Sequence, residues 1–330
     1  MLRFMAGNLE QLDLAREHIA LGEPNNARFG LMLTDNAVEI TLHRVAKDYQ
    51  IKVQHQAHYE PPFPHMAELT KALAQEFSSK VRFAKTIGML SDDDAQTAII
   101  CHSFRNEVYH VGAIHEEILP DLARFYFDRA CAIVGSYKGG FIGWSSRDVL
   151  PKRAERFFTG HHLFPGNADQ YRQGCAKLAQ ENAFDAQSLV STLAKHMSDV
   201  VDDQDSSIDL MATGAPTQMS RDQVVVYCQA WELAFSGEGE EYALKHGFSG
   251  SKFDLVEWLK ANYPFTISKD PIPSWRQRAA GLSGEKAAAS ALNKYHQFMH
   301  QTEKLRENLY ESAGQLQMEI DRQIDDMKGR

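Results

Sequence analysis

Long apolar runs are missing from this sequence. Its apolar stretches are short, such as AIIC at 98–101 and CAIV at 131–134, well below the ~20 residues that a membrane helix needs. The opening Met-Leu-Arg-Phe-Met-Ala-Gly-Asn lacks the apolar region of a signal peptide. Cysteine is scarce: Cys101, Cys131, Cys175 and Cys228 are far apart, and no C-x-x-C occurs. They are expected to be buried thiols in a reducing compartment, so the expected location is cytoplasmic. With 21 glycines and 11 prolines in 330 residues, the chain is neither collagen-like nor linker-rich. Basic charge is also short. The net charge is −9, with 15 basic and 19 acidic residues in 1–150 and 20 and 25 in the rest. Neither half has the positive surplus that broad binding to duplex DNA demands, though a local cluster can still hold a nucleic acid.

Several catalytic signatures are absent too. No G-K-[ST] follows Gly139, Gly140 and Gly143, so no phosphate loop is expected there. No G-x-S-x-G argues for acyl transfer. Asp202, Asp203, Asp205 and Asp209 lack the glycine and terminal glutamate of a calcium loop and are read as a solvated acidic turn. His115-Glu116-Glu117 lacks the second histidine of H-E-x-x-H. His55, His58 and His65 with Glu60 match no metal-ligand spacing, and His161-His162 with Asp169 is equally uninformative. The expectation is no metal and no cofactor.

What is present is helix. Hydrophobic residues make up 43% and charged residues 24%, enough apolar material for a real core. Apolar residues recur at helical spacing almost throughout, and even QVVVYC at 223–228 has helix-like flanks. The fold class is therefore all-α. Helices are expected over about 2–21, 27–51, 66–90, 92–111 and 114–134, with Ser91 capping three aspartates. The glycine-rich stretch at 136–146 suggests a first domain over 1–145 and a second helical domain over 146–330. Interruptions are expected at 201–209, 213–218 and 236–241, and a long last helix at about 284–327. That helix carries a 3-4 apolar seam suited to an intramolecular face or a partner helix.

The segment ICHSFRNEVYHVG, 100–112, carries the chemistry. On a helix, His102, Asn106 and His110 share a face, while Phe104, Val108 and Val111 form a separate apolar stripe. Arg105 lies about 140° from His110 around the axis at 100° per residue. One helix therefore aims the pair poorly at one atom, and a reaching arginine or a second copy of the helix must complete the site. The residue types suit phosphodiester cleavage in RNA. A histidine takes or gives a proton near neutral pH. A guanidinium grips phosphate oxygens as charge builds. The 2′-hydroxyl is an internal nucleophile, so no metal is required. Arg105 and His110 are read as catalytic, Asn106 as orienting the imidazole or contacting phosphate, and His102 and Tyr109 as substrate contacts. R-x-x-x-x-H arises about 0.8 times by chance in this composition. A second copy, Arg156 to His161, has two phenylalanines and Gly160 inside it and is set aside.

With its Asn after the Arg, R-N-x-x-x-H near the end of a four-helix unit resembles the HEPN domain (higher eukaryotes and prokaryotes nucleotide-binding). LMLTDNAVEITLHRVA at 31–46 and FSSKVRFAKTIGMLSDDDAQTAIICHSFRNEVYH at 77–110 follow that family's order. The resemblance covers roughly 27–135. It implies a metal-independent endoribonuclease that dimerises so that two motifs face one cleft, with Arg105 and His110 catalytic and Asn106 the polar residue after the arginine. Many such relatives are toxins or antiviral-defence effectors. A subset carries a tyrosine two residues after the histidine, where a partner nucleotidyltransferase modifies it; Gly112 stands there in this chain. The remainder, 146–330, is left to select substrate, bind a regulatory partner protein or extend the homodimer. The alternative reading is a non-catalytic helical module that binds a nucleotide, RNA or a protein.

Overall fold

A computed structural model describes residues 1–56, 62–110, 115–139, 149–160, 166–214 and 218–329. It contains thirteen α-helices and one short 3-10 helix, with no strand among the described residues. The all-α expectation holds. The chain forms two compact units. The first comprises Met1–Leu193 and Glu285–Asn293, the second Ala194–Gly284 and Lys294–Arg330. Most of the glycine-rich stretch on which the domain division rested, its residues 140–146, lies outside the described residues.

In the first unit, α1 (Leu2–Ala20) and α2 (Pro24–Gln56) form a helical hairpin. Its closeness depends on Gly30, where an added Cβ would sit 2.3 Å from the Ile19 side chain. Leu9, Leu12, Leu31 and Leu42 are fully or almost fully buried in this hairpin, and their removal from water is its main stabilisation. One buried polar link crosses the layer. The Asn8 amide donates to the Thr41 hydroxyl at 2.9 Å and to the Tyr171 hydroxyl at 3.1 Å. Tyr171 lies on α7 (Ala168–Glu181), a helix opened by a reciprocal Asn167–Gln170 capping box.

The helix expected over 66–90 is two helices, α3 (Met66–Ala72) and α4 (Phe77–Thr86). The break has a local cause. Glu76 is extended, at φ −63° and ψ 120°, and its carboxylate accepts from the Ser78 and Ser79 hydroxyls at the start of α4. Those two hydroxyls hold its pKa below the usual carboxylate range, and negative charge is favourable at that helix end. The buried Lys80 then reaches back to the Gln75 carbonyl at 2.6 Å. Gly88, at φ +73°, makes the left-handed turn that leads from α4 towards the next helix. That helix is α5 (Asp92–His110). Ser91 caps it as expected: its hydroxyl accepts from the Asp94 amide at 3.1 Å and donates to the Asp94 carboxylate at 2.7 Å. Next, α6 (Leu119–Gly135) buries Leu122, Tyr126, Phe127, Ala130 and Val134.

The second unit corrects one expected interruption. Residues 201–209 do not form a turn; they lie within α8 (Ala186–Gly214). Asp202, Asp205 and Asp209 are paired rather than merely solvated. Arg221 bonds Asp205, Asp209 and Asp270, the last at 2.7 Å, and Arg276 bonds Asp202 and Asp205 at 3.2 and 2.6 Å. The break expected at 236–241 is present but short, confined to Phe235 and Ser236 between two helices. Ser236 caps α10 (Gly237–Lys245), whose first turn places Glu238 and Glu240 at its positive end. Capping boxes at Ser220 and Ser251 open α9 (Arg221–Ala234) and α11 (Lys252–Asn262). Ala230, Leu255 and Leu259 form a small core there, with Trp231 and Trp258 packed partly buried against it. Trp275 is buried on α12 (Ile272–Ser283). The long last helix is α13 (Ala288–Met327). Its seam is buried through Leu292, Tyr295, Leu309 and Ala313, whereas Met318 and Met327 are exposed.

Candidate functional site at the end of α5

Helix α5 is fixed by its apolar stripe. Ala98, Cys101, Phe104 and Val108 are buried, so the remaining faces turn outward by helical periodicity. His110 is the last helical residue and is exposed, and Tyr109 is 58% exposed. Residues 111–114, including Val111 and Gly112, lie outside the described residues.

Arg105 is held from two sides. Its Nη1 donates to Asn106 Oδ1 at 2.9 Å, and its Nε lies 3.6 Å from Asp35 Oδ2. Asp35 belongs to α2 and is completely buried. It also accepts from the Tyr126 hydroxyl on α6 at 3.0 Å and pairs with His102 Nδ1 at 2.9 Å. One buried carboxylate thus ties α2, α5 and α6 together behind the arginine. Burial raises the Tyr126 phenol well above its ordinary pKa, and the Asp35 charge adds to the shift. The phenol therefore keeps its proton and donates. Cys101 is shifted in the same direction by burial and then by Asp35, which makes it an inert core thiol.

The expected residues divide into two groups. Arg105, Asn106, Tyr109 and His110 form a chain of contacts. The Arg105 guanidinium carbon is 5.5 Å from the Tyr109 ring centroid, and the Tyr109 and His110 rings meet edge to face at 5.0 Å. No hydrogen bond or ring contact joins Arg105 directly to His110 among the described residues, in keeping with their angular separation on the helix. His102 is placed differently. It stacks on Phe77 with centroids 4.0 Å apart and planes within 8°, while its Nδ1 is taken by Asp35. That arrangement braces the arginine's counter-ion.

Asp35 and Phe77 were not singled out in the sequence, although both lie in the stretches that carry the family resemblance. An aspartate within an apolar-periodic segment was the available signal, because such a residue must find partners if buried. His115 is a further neighbour. Its backbone is left-handed at φ 59°, a costly conformation for histidine. Its Nε2 lies 2.6 Å from Glu107, which also accepts from the Ser103 hydroxyl at 3.1 Å.

Asp35, Glu39 and His102 bring three ligand-type atoms within 4.8 Å of one another. The charges around them are already balanced. Lys80 Nζ is 3.1 Å from Glu39, and Arg105 stands beside Asp35. A divalent ion would have to displace those two cations and break the bonds from Tyr126 and His102, so the donor set fits a hydrogen-bonded brace better than a metal cage. The second R-x-x-x-x-H copy is structural at its arginine: Arg156 pairs with the buried Asp13 at 2.5 Å and with Glu181 at 3.5 Å. Its His161 lies outside the described residues. Comparison of the chain with family models, curated proteins and solved structures finds no match.

Proposed function

We propose that the chain is a metal-independent endoribonuclease of HEPN type that works as a homodimer. The supporting observation is the run from the half-buried Arg105 to the exposed Tyr109 and His110, backed by the buried Asp35. The Arg105 Nη1 donates to Asn106 and its Nε faces the buried Asp35 carboxylate at 3.6 Å without a hydrogen bond, while the side chain keeps 26% exposure. An anchored guanidinium is a preorganised grip for phosphate oxygens. In the proposed reaction His110 removes the proton from a ribose 2′-hydroxyl. The 2′-oxygen attacks the adjacent phosphorus, and Arg105 neutralises the charge that builds on the non-bridging oxygens. The 5′-oxygen leaves as a hydroxyl, taking a proton from the His110 of the second protomer. The products are a 2′,3′-cyclic phosphate end and a 5′-hydroxyl end. The exposed Tyr109 ring offers a face on which an RNA base can stack.

Incubation of the purified protein with mixed RNAs tests this reading. Shortened RNA bearing those ends supports it. RNA that is shifted in a gel but never shortened supports the alternative of a non-catalytic binding module, which the net charge of −9 favours. A toxin or defence role is a further part of the proposal, read as growth arrest on expression that Arg105→Ala relieves.

A further inference from the structure

A cavity of about 860 Å³ opens in the first unit between the second half of α2, the α4–α5 turn and the residues after α6. Its size falls within the range of small-molecule sites. It is separate from the α5 terminus. Asp35 and Asp48 are thirteen residues apart on α2, which at 1.5 Å per residue is about 20 Å along the helix.

The lining combines two chemistries. Val45, Ile87 and Met89 give an apolar floor, and the Tyr49 ring adds a flat wall. The charged groups are sorted by their partners. Asp48 is engaged internally: one oxygen accepts from the buried Tyr137 hydroxyl at 2.5 Å and the other lies 3.0 Å from Arg44 Nε. Burial, and then this bond to Asp48, raises the Tyr137 phenol above its ordinary range, so it stays a donor. Lys52 and Lys138 line the same cavity, are exposed, and form no ion pair among the described residues. The Lys52 ammonium is 5.8 Å from the Tyr49 ring centroid. Among the described residues the lining thus holds Arg44, Lys52 and Lys138 against Asp48, in a chain whose overall charge is negative.

We propose that this cavity binds an organic phosphate monoester with a flat, apolar body of up to mononucleotide size. Two ammonium groups without carboxylate partners among the described residues suit a compact dianion. The floor of Val45, Ile87 and Met89, with Tyr49, takes the body. The site stands independently of the proposed nuclease.

Calorimetric titration of the full chain with AMP, phenyl phosphate, adenosine and inorganic phosphate tests it. The expected result is saturable binding of at least one monoester, with adenosine and inorganic phosphate each weaker by roughly tenfold or more. AMP binding more tightly than phenyl phosphate identifies a nucleotide, and the reverse order identifies a smaller aryl ester. The double variant Lys52→Ala/Lys138→Ala, which removes only exposed side chains, should lose roughly tenfold in affinity with an unchanged circular-dichroism spectrum. Arg105→Ala should bind as the wild type does, so a failed nuclease reading leaves this result intact. The proposal is overturned if neither monoester binds up to millimolar concentration, if the double variant binds like the wild type, or if inorganic phosphate binds as tightly as its esters.

Discussion

The Arg105 guanidinium carbon lies 5.5 Å from the centroid of the Tyr109 ring. This one-turn contact on α5 joins two side chains that the sequence singles out as candidates, and Tyr109 in turn meets His110 edge-on at 5.0 Å. The polar face of α5 is therefore ordered by aromatic and cation–π contacts at its exposed end and by a buried carboxylate, Asp35, behind it.

Asp35 carries the first prediction. Asp35→Ala removes the acceptor of Tyr126 and the partner of His102 and Arg105 together. Unsatisfied buried donors should cost about 2–4 kcal/mol of stability. Tyr126→Phe removes one donor and should cost less, about 1–2 kcal/mol. Urea unfolding curves measure both. An Asp35→Ala variant as stable as the wild type would show that the brace contributes nothing.

The four thiols make a second prediction. Burial raises Cys101 and Cys131 well above 9.0, Cys175 to about 12 and Cys228 to about 11. The unfolded chain loses these protons first as pH rises, so above pH ~9 the native state binds more protons than the unfolded one. Stability must then fall with rising pH, by up to about 1.4 kcal/mol per pH unit for each thiol. Unfolding midpoints measured under reducing conditions from pH 7 to pH 10 should be flat at first and then drop. Cys101→Ala should make the drop shallower.

Metal removal gives a third. RNA cleavage in excess EDTA should proceed at the rate seen without chelator, because in the proposed reaction the 2′-hydroxyl supplies the nucleophile and Arg105 the charge neutralisation. Complete loss in EDTA, restored by one divalent ion, would instead assign the cluster of Asp35, Glu39 and His102 to a metal.

Much of the fold could be read from periodicity. The bounds of α1 and α5 and the Ser91 cap follow from local spacing and cap chemistry. The break between α3 and α4 could not, because apolar phase runs through it. It arises from the Glu76 carboxylate on two hydroxyls and from Lys80 reaching Gln75 and Glu39. Likewise, the aspartates at 202–209 look like a solvated turn until Arg221 and Arg276 arrive from later in the chain. The site divides in the same way. Arg105, Asn106, Tyr109 and His110 share one short segment and were legible together. Asp35 lies seventy residues before Arg105, and its contact with His102 arises only because α2 brings it there.

The most direct measurement compares RNA cleavage by the wild type and by His110→Ala, purified identically. His110 is exposed at the helix end, so its loss should leave the fold and thermal midpoint unchanged. The wild type should release 2′,3′-cyclic phosphate and 5′-hydroxyl ends, and the variant should be at least roughly a hundredfold slower. Equal cleavage by the two proteins would contradict the assignment of His110 and the nuclease built on it.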